Sequence, residues 1–334
     1  MHMADALVAP AVAGTMYACS AITTGYSIKR IRLENEPKKI PVMGVMGAFV
    51  FAAQMINFTI PGTGSSGHLC GGMLLSAILG PYAAFLTMVG ILFIQCLLFA
   101  DGGVLALGCN IWNMAFYGCF IGAMVIWRMT MRNSITKRKI TIASILGSIL
   151  TLQLGAFSVT LETLASGVTE LPFGVFVATM QPIHLAIGLV EGLITASVLC
   201  FVYEARAELL WNDSGKKYVG VKQGKLSYRS TFAVLVVVTI VIAGLLSLAA
   251  SANPDGLEWS IQRITGTPEV AASGAVYDAA EKIQNITAVL PDYAFKGSDS
   301  KVGTSLSGII GGIVVVGICV ASCFLIRLFK RKTE

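Results

Sequence analysis

Charge is scarce in this chain. Asp, Glu, Lys and Arg supply only 13% of its 334 residues against 55% hydrophobic ones, a balance foreign to ordinary soluble domains. Histidine is scarcer still, with His2, His68 and His184 the whole supply. There is no Gly-x-x-x-x-Gly-Lys-Ser/Thr phosphate loop, which excludes ATP hydrolysis by the usual route, and no His-Glu-x-x-His motif. The segments expected outside the membrane lack a clustered set of acids for a hydrolytic metal. The eight cysteines lie in or beside apolar segments without paired spacing, which argues against a disulfide framework. Cys319 and Cys323 share one face of the last helix and read as packing residues.

What the chain does have is long apolar runs, at 6–28, 41–60, 81–99, 104–127, 140–161, 181–203, 230–250 and 304–326. Each has roughly the length of a membrane-crossing helix, and the mean hydropathy is +0.76. The stretch 69–79 is equally apolar but about half as long. The expected fold is an all-α polytopic membrane protein in the lipid bilayer.

Basic residues orient it. Of 24 Lys and Arg, 20 fall in 29–40, 128–139, 206–229 and 327–332. Placing all four on the cytoplasmic side puts the amino terminus outside and the carboxyl terminus in the cytoplasm. An even number of crossings must then separate the first two basic segments. Residues 69–79 have to be the fourth crossing, with Gly80-Pro81 as its tight cytoplasmic turn. So short a crossing starts inside the membrane, so the polar segment Pro61–His68 is expected to dip inward, where protein or a cavity must satisfy its backbone. The net charge of +6 is largely this positive-inside signature and gives no reason to propose a nucleic-acid partner.

Seven crossings end near Glu204. The expected organisation is a seven-helix module over 1–205, a polar cytoplasmic linker over 206–229 containing Asn212-Asp213-Ser214-Gly215-Lys216-Lys217, and a two-helix module over 230–334. The outer loop of this hairpin, 251–303, is far longer than a connection needs and holds a plausible helix over 269–285. It reads equally as a cover over the first module or as a moving part. No internal repeat is visible.

The chain opens Met1-His2-Met3-Ala4-Asp5 and becomes an apolar helix within a few residues. The expectation is that Met1 is retained, because a large second residue normally blocks its removal, and that no signal peptide is cut, because a basic n-region is missing. Amine, deprotonated His2 amide and His2 Nδ1 can then close five- and six-membered chelate rings. Three in-plane nitrogens suit Ni(II) or Cu(II) and fit tetrahedral zinc poorly. The bland reading is that Met-His is simply how the chain begins. If the inward-dipping loop meets the amino terminus, His68 completes the square plane. Gly62, Gly64 and Gly67 allow close approach, while Thr63, Ser65 and Ser66 can orient the imidazoles through hydrogen bonds.

Other residues stay open between two roles. His184, near the outer end of 181–203, either supports the site or makes a structural hydrogen bond. Glu191, the acid well inside a crossing, is either functional or a carboxyl joining helices. Gln54 and Asn57 share a face approaching the loop, and Asp5 suits the start of helix one. Gly44, Ala48 and Ala52 form a smooth stripe, either for internal packing or for docking a partner.

Three stretches together resemble the substrate-binding membrane component of energy-coupling-factor nickel and cobalt transporters, in the form that fuses M and N components. They are Met1-His2-Met3; Met55-Ile56-Asn57-Phe58 through Pro61 to Ser66-Gly67-His68-Leu69 with Gly71-Gly72; and His184 through Glu191-Gly192. Pro254-Asp255-Gly256-Leu257-Glu258 is similar to the N component. The resemblance covers nearly the whole chain. It departs at Ala4-Asp5, where many relatives have a Pro-Glu-Gly-like turn, so helix one could start at another angle.

The resemblance implies metal ligation by the Met1 amine, the His2 amide and imidazole, and His68. It also implies a transmembrane coupling protein and two cytoplasmic ATPases as partners, with docking through small-residue faces such as Gly44, Ala48 and Ala52. The resulting expectation is a transporter component in a prokaryotic cell membrane with no catalytic cofactor, whose substrate is Ni(II) or, alternatively, Co(II). A membrane metalloenzyme using His2, His68 and His184 with Glu191 as base is a distant rival, and a metal sensor a third.

Overall fold

The computed structural model describes residues 1–31, 39–213, 224–297 and 301–331. Linker positions 214–223, which include Ser214–Lys217, lie outside the described residues, as do 32–38 of the first basic segment. Residues 10–206 form α1 (Pro10–Arg30), α2 (Lys39–Gln54), α3 (Gly72–Leu79), α4 (Pro81–Phe99), α5 (Leu107–Met131), α6 (Lys137–Ala165) and α7 (Phe173–Arg206). Between α2 and α3 stands a small antiparallel hairpin of β1 (Phe58–Ile60) and β2 (Ser65–Gly67), pairing Phe58 with Gly67 and Ile60 with Ser65. Residues 228–331 add α8 (Tyr228–Gly244), α9 (Gly256–Thr265), α10 (Ala275–Thr287) and α11 (Lys301–Arg331).

Among the described residues, α4, α5, α6, α7 and α11 are long and apolar enough to cross a membrane, and α2 and α8 are shorter apolar helices. The chain is a helical polytopic membrane protein. Leu146, Leu150, Leu185 and Leu189 on α6 and α7 point outward, as a face toward lipid requires. Helix α1 has 21 residues but carries many hydroxyls. Those of Thr15, Thr23, Thr24 and Ser27 return to the carbonyl four residues earlier, so their polarity is met within the helix.

The short α3 is the fourth helix between the first two basic segments, as the charge parity requires. Its eight residues rise about 12 Å at 1.5 Å each. Gly80, at φ 77°, reverses the chain into Pro81, and a Cβ there would meet the Trp211 ring at 2.6 Å. Trp211 donates its amide to Ala77, Trp127 donates to the Trp211 carbonyl, and Arg128 pairs with Asp213 at 2.9 Å. The turn therefore lies at the same end as the basic segments that begin at Arg128 and Arg206.

Two expectations change. The last helix of the first group starts at Phe173, not 181, and takes Pro182 inside. The outer loop holds two helices, and its expected segment 269–285 resolves into Ala275–Thr287 with Gly256–Thr265 before it. Of the two roles open to the stripe of Gly44, Ala48 and Ala52, the structure has packing within the chain. Gly44 faces Val316 and Ala48 faces Gly312 of α11, while Ala52 is fully buried. Small residues let α2 and α11 approach closely, so this face is covered by the chain's own last helix. Cys319 and Cys323 pack at the same seam, beside Gly47 and Met43.

Candidate metal centre

The first five residues form a strap laid into the bundle. Asn110 clamps it, accepting from the Met3 amide at 2.7 Å and donating to the Met3 carbonyl at 3.1 Å. The Gly103 amide donates to the same carbonyl at 2.9 Å, and a side chain at Gly103 would collide with Asp5. Asp5 does not cap α1, whose N-cap is Ala9; it accepts from the Ala106 amide at 2.9 Å, holding the start of α5. Met3 and Leu7 are fully buried and anchor the strap in the core.

Against the strap lies the loop into α3. Its tip, Pro61–Gly64, is mostly exposed, and the descent starts at Ser65, from which every residue to Gly72 is buried. Glu191 secures the bottom by accepting the amides of Cys70 at 2.8 Å and Gly71 at 3.1 Å. Both its oxygens are thus taken by backbone N–H groups, which suits a support for the loop and leaves no idle base.

The strap and loop bring the expected residues together. The Met1 amino nitrogen lies 3.1 Å from His68 Nε2, and the His2 and His68 rings stack with centroids 5.2 Å apart. The chelate itself is not assembled. His2 Nδ1 stands 3.0 Å from Asp101 Oδ1, and its Nε2 stands 3.2 Å from Gln95 Oε1. A neutral ring placed between two acceptors donates to only one of them. Among the described residues no three His, Cys, Asp or Glu side chains stand ready as a metal shell.

Several contributors escaped sequence reasoning. Asp101 also accepts from Tyr293 at 2.5 Å, and Gln95 donates to Gln54, whose amide in turn holds the Cys70 carbonyl. Asp255 is the largest omission. Its Oδ1 caps α9, accepting from Leu257 at 2.8 Å and Glu258 at 2.9 Å, while Glu258 accepts from the Asp255 amide to complete a capping box. Its Oδ2 pairs with the Met1 amine. The Asp-x-x-Glu spacing was a visible signal for the helix start, but nothing local signalled its partner.

The expected hydrogen-bonding helpers point elsewhere. Ser66 donates to the Asn253 carbonyl at 2.7 Å and its amide to Pro254 at 2.8 Å, and Ser65 Oγ reaches the Ser66 carbonyl. Thr63 Oγ1 donates to the Ile60 carbonyl, and Asn57 offers its carbonyl to the Ser251 amide at 2.7 Å. Ser66 and the Asn57 carbonyl fasten the 251–260 segment, and Thr63 Oγ1 closes its own turn, instead of orienting the imidazoles. Trp259 adds a bond to the Thr63 carbonyl. His184 is brought to the same cavity as Met1 and His68, with Nδ1 against the Met180 carbonyl at 2.8 Å.

The electrostatics favour a cation. Burial lowers the basicity of His2, with Asp101 opposing. Burial, the neighbouring amino terminus and His2 push His68 down to about 3, so its imidazole is neutral, the form that binds metals. Burial alone would raise Asp255, but the Met1 ammonium and His68 beside it hold its carboxyl well below the usual range. Asp255 thus faces the Met1 amine, and Asp101 faces the His2 ring.

Residues 2–209 match the family described as cobalt uptake substrate-specific transmembrane region, CbiM. Residues 229–328 match the PDGLE domain, whose name spells Pro254–Glu258 of this chain. A protein of Archaeoglobus fulgidus described as a fused nickel transport protein, NikMN, is 32% identical over 95% of this chain and 96% of its own length. The fused nickel transport protein NikMN of Rhodobacter capsulatus is 28% identical over 95% and 96%. The cobalt transport protein CbiM of Sorangium cellulosum is 30% identical over 54% of this chain and 80% of its own. A crystal structure described as a truncated transition metal transporter superimposes with a TM-score of 0.53 at 30% identity, covering 61% of this chain and 99% of the other. The relatives are transport proteins, not enzymes. The chain belongs to the CbiM family, as a membrane component of nickel and cobalt uptake that fuses the M and N parts and takes a metal ion as its substrate.

Proposed function

We propose that this chain captures Ni(II) from outside the cell as the substrate-specific component of an energy-coupling-factor transporter. The observation that carries the reading is the meeting of the Met1 amine with His68 Nε2 beside the stacked ring of His2. With Met1 as first residue, the ion is held by the Met1 amine, the His2 amide and Nδ1, and His68 Nε2. Chelation requires the His2 ring to turn Nδ1 away from Asp101, the amine to leave Asp255, and the ammonium and the His2 amide each to release one proton to water. Four nitrogens in a plane favour Ni(II) over zinc, and geometry must select against copper, which raw affinity favours. Co(II) is the alternative substrate, supported by the cobalt transport relatives.

In this reading residues 1–205 are the metal-binding M module, 206–229 the cytoplasmic linker, and 230–334 the N-like module, whose outer loop 251–303 covers the site. The amino terminus faces outward and the carboxyl terminus the cytoplasm of a prokaryotic cell. A transmembrane coupling protein and two cytoplasmic ATPases supply the energy. Because α11 covers Gly44 and Ala48, that stripe docks a partner only if α11 moves aside.

Nickel accumulation tests the proposal in cells lacking other nickel uptake. Accumulation is expected when this chain is expressed with coupling protein and ATPases, and not when the ATPases are inactivated. Accumulation indifferent to ATPase activity would remove energy coupling from the reading. Cobalt that suppresses nickel uptake completely at equal concentration would make Co(II) the preferred ion.

A further inference from the structure

Helix α10 (Ala275–Thr287) lies across the end of the bundle opposite the Gly80 turn, and it has three faces instead of two. One is docked: Ala280 is buried, Gln284 donates to the Cys96 and Gly102 carbonyls at 3.0 and 2.8 Å, and Tyr277 donates to the Val8 carbonyl at 3.1 Å. At about 100° per residue, Asp278, Glu281 and Asn285 fall on one flank of that face, exposed and polar. Val276, Ile283 and Ile286 fall on the other flank, and they are 47%, 49% and 73% exposed. An amphipathic helix in water turns its apolar side to the core, so a separate exposed apolar flank has another neighbour.

The depth of α10 says what that neighbour is. Helix α4 starts at the Gly80 turn and its 19 residues rise about 28 Å, close to the roughly 30 Å of a bilayer's hydrocarbon layer. Cys96, whose carbonyl holds Gln284, lies one turn before the end of α4, so α10 sits at the boundary between hydrocarbon and headgroups. The apolar flank also runs on into a lipid-facing surface. Lys296 donates to the Asn285 carbonyl at 3.2 Å, and a Cβ at Gly303 would lie 2.9 Å from the Phe295 amide, so the end of α10 stands beside the start of α11. There Val302, Leu306, Ile309 and Ile313 form one exposed row along a helix long and apolar enough to cross the membrane.

We propose that α10 lies in the membrane interface, with Val276, Ile283 and Ile286 among the acyl chains of one leaflet and Asp278, Glu281 and Asn285 in water. A helix with one apolar and one polar flank takes this position because it buries apolar surface while its polar groups stay hydrated. The leaflet is the outer one in the orientation proposed above. Just beyond α10, Tyr293 donates to Asp101, which faces the His2 ring. Contact with the bilayer therefore fixes the height of the segment that reaches the candidate metal centre, and the outer loop is a cover moored to lipid.

The test uses the full chain in phosphatidylcholine vesicles, with tryptophan introduced by Ile286→Trp and, separately, by Glu281→Trp, each read as the difference from the native chain. Both positions are exposed, so neither substitution disturbs the core. The Ile286→Trp emission should be blue-shifted, largely lost when the lipid is replaced by brominated phosphatidylcholine, and unchanged by iodide on both sides of the vesicle. Glu281→Trp should respond the other way, quenched by iodide and untouched by bromine. If iodide quenches both alike and bromine neither, the flank faces water and the proposal fails. If Ile286→Trp escapes both quenchers, protein covers the flank, and the proposal fails as well.

Discussion

The Met1 amine stands between two partners from distant parts of the chain, His68 Nε2 at 3.1 Å and the carboxylate of Asp255. One supplies a lone pair of the kind a metal uses, and the other a carboxylate that pairs with the amine. Metal capture and closure of the outer segment therefore compete for a single nitrogen.

Asp255 has a second duty as N-cap of α9, and the two are separable. Asn preserves the cap, whereas Ala removes it at a cost of about 1 kcal/mol. Thermal unfolding of the metal-free protein in detergent is expected to fall in the order native, Asp255→Asn, Asp255→Ala. Equal melting of all three would show that neither the ion pair nor the cap supports the fold.

Asn110 is expected to matter for metal because it holds Met3 through both its donor and its acceptor. Asn110→Ala leaves the buried Met3 amide without its partner, a cost of about 1–3 kcal/mol. Nickel affinity measured by titration should fall about tenfold, by analogy with loss of other groups that orient ligands. Unchanged affinity would mean that the strap is held well enough by Gly103.

Gly103→Ala drives a methyl into Asp5, while Gly14→Ala on α1 meets nothing within 4 Å. The first should abolish nickel retention through gel filtration, and the second should leave it intact, adding up to about 1 kcal/mol of helix stability. Retention by both variants would show that the strap shifts freely, against the fixed geometry described here.

Glu191→Gln is expected to lower nickel affinity without unfolding the bundle. The carboxylate accepts two amides, whereas an amide side chain accepts with one oxygen and turns a donor toward the other N–H. Faster hydrogen exchange at Cys70 and Gly71, with α6 and α7 unchanged, is the accompanying signature. Equal exchange at those amides would leave Glu191 with no role in holding the loop.

Much of this architecture was legible because charge and apolar length are crude, strong signals. The parity of basic segments asked for a fourth crossing over 69–79, and the structure has the eight-residue helix α3 there. His2 and His68 could be paired because topology put both at one end. What stayed hidden depended on where a surface finds its partner. The Gly44–Ala52 stripe announces close helix contact, but periodicity does not say that α11 fills it. Ser65 and Ser66 adjoin His68 in sequence, yet the hairpin directs them to the 251–255 segment. Asp255 was visible as part of a helix start, while its reach across 254 residues to Met1 is tertiary information.

The most direct measurement is the metal content and absorption spectrum of the purified chain with a free amine at Met1, set beside the same chain with that amine acetylated. The expected result is about one tightly held nickel with the yellow band of a diamagnetic square-planar centre in the free-amine form, as four in-plane nitrogens impose, and loss of that band in the acetylated form. If acetylation changes neither nickel content nor spectrum, the amino terminus is not a ligand. The site would then have to be rebuilt around His68 and His184.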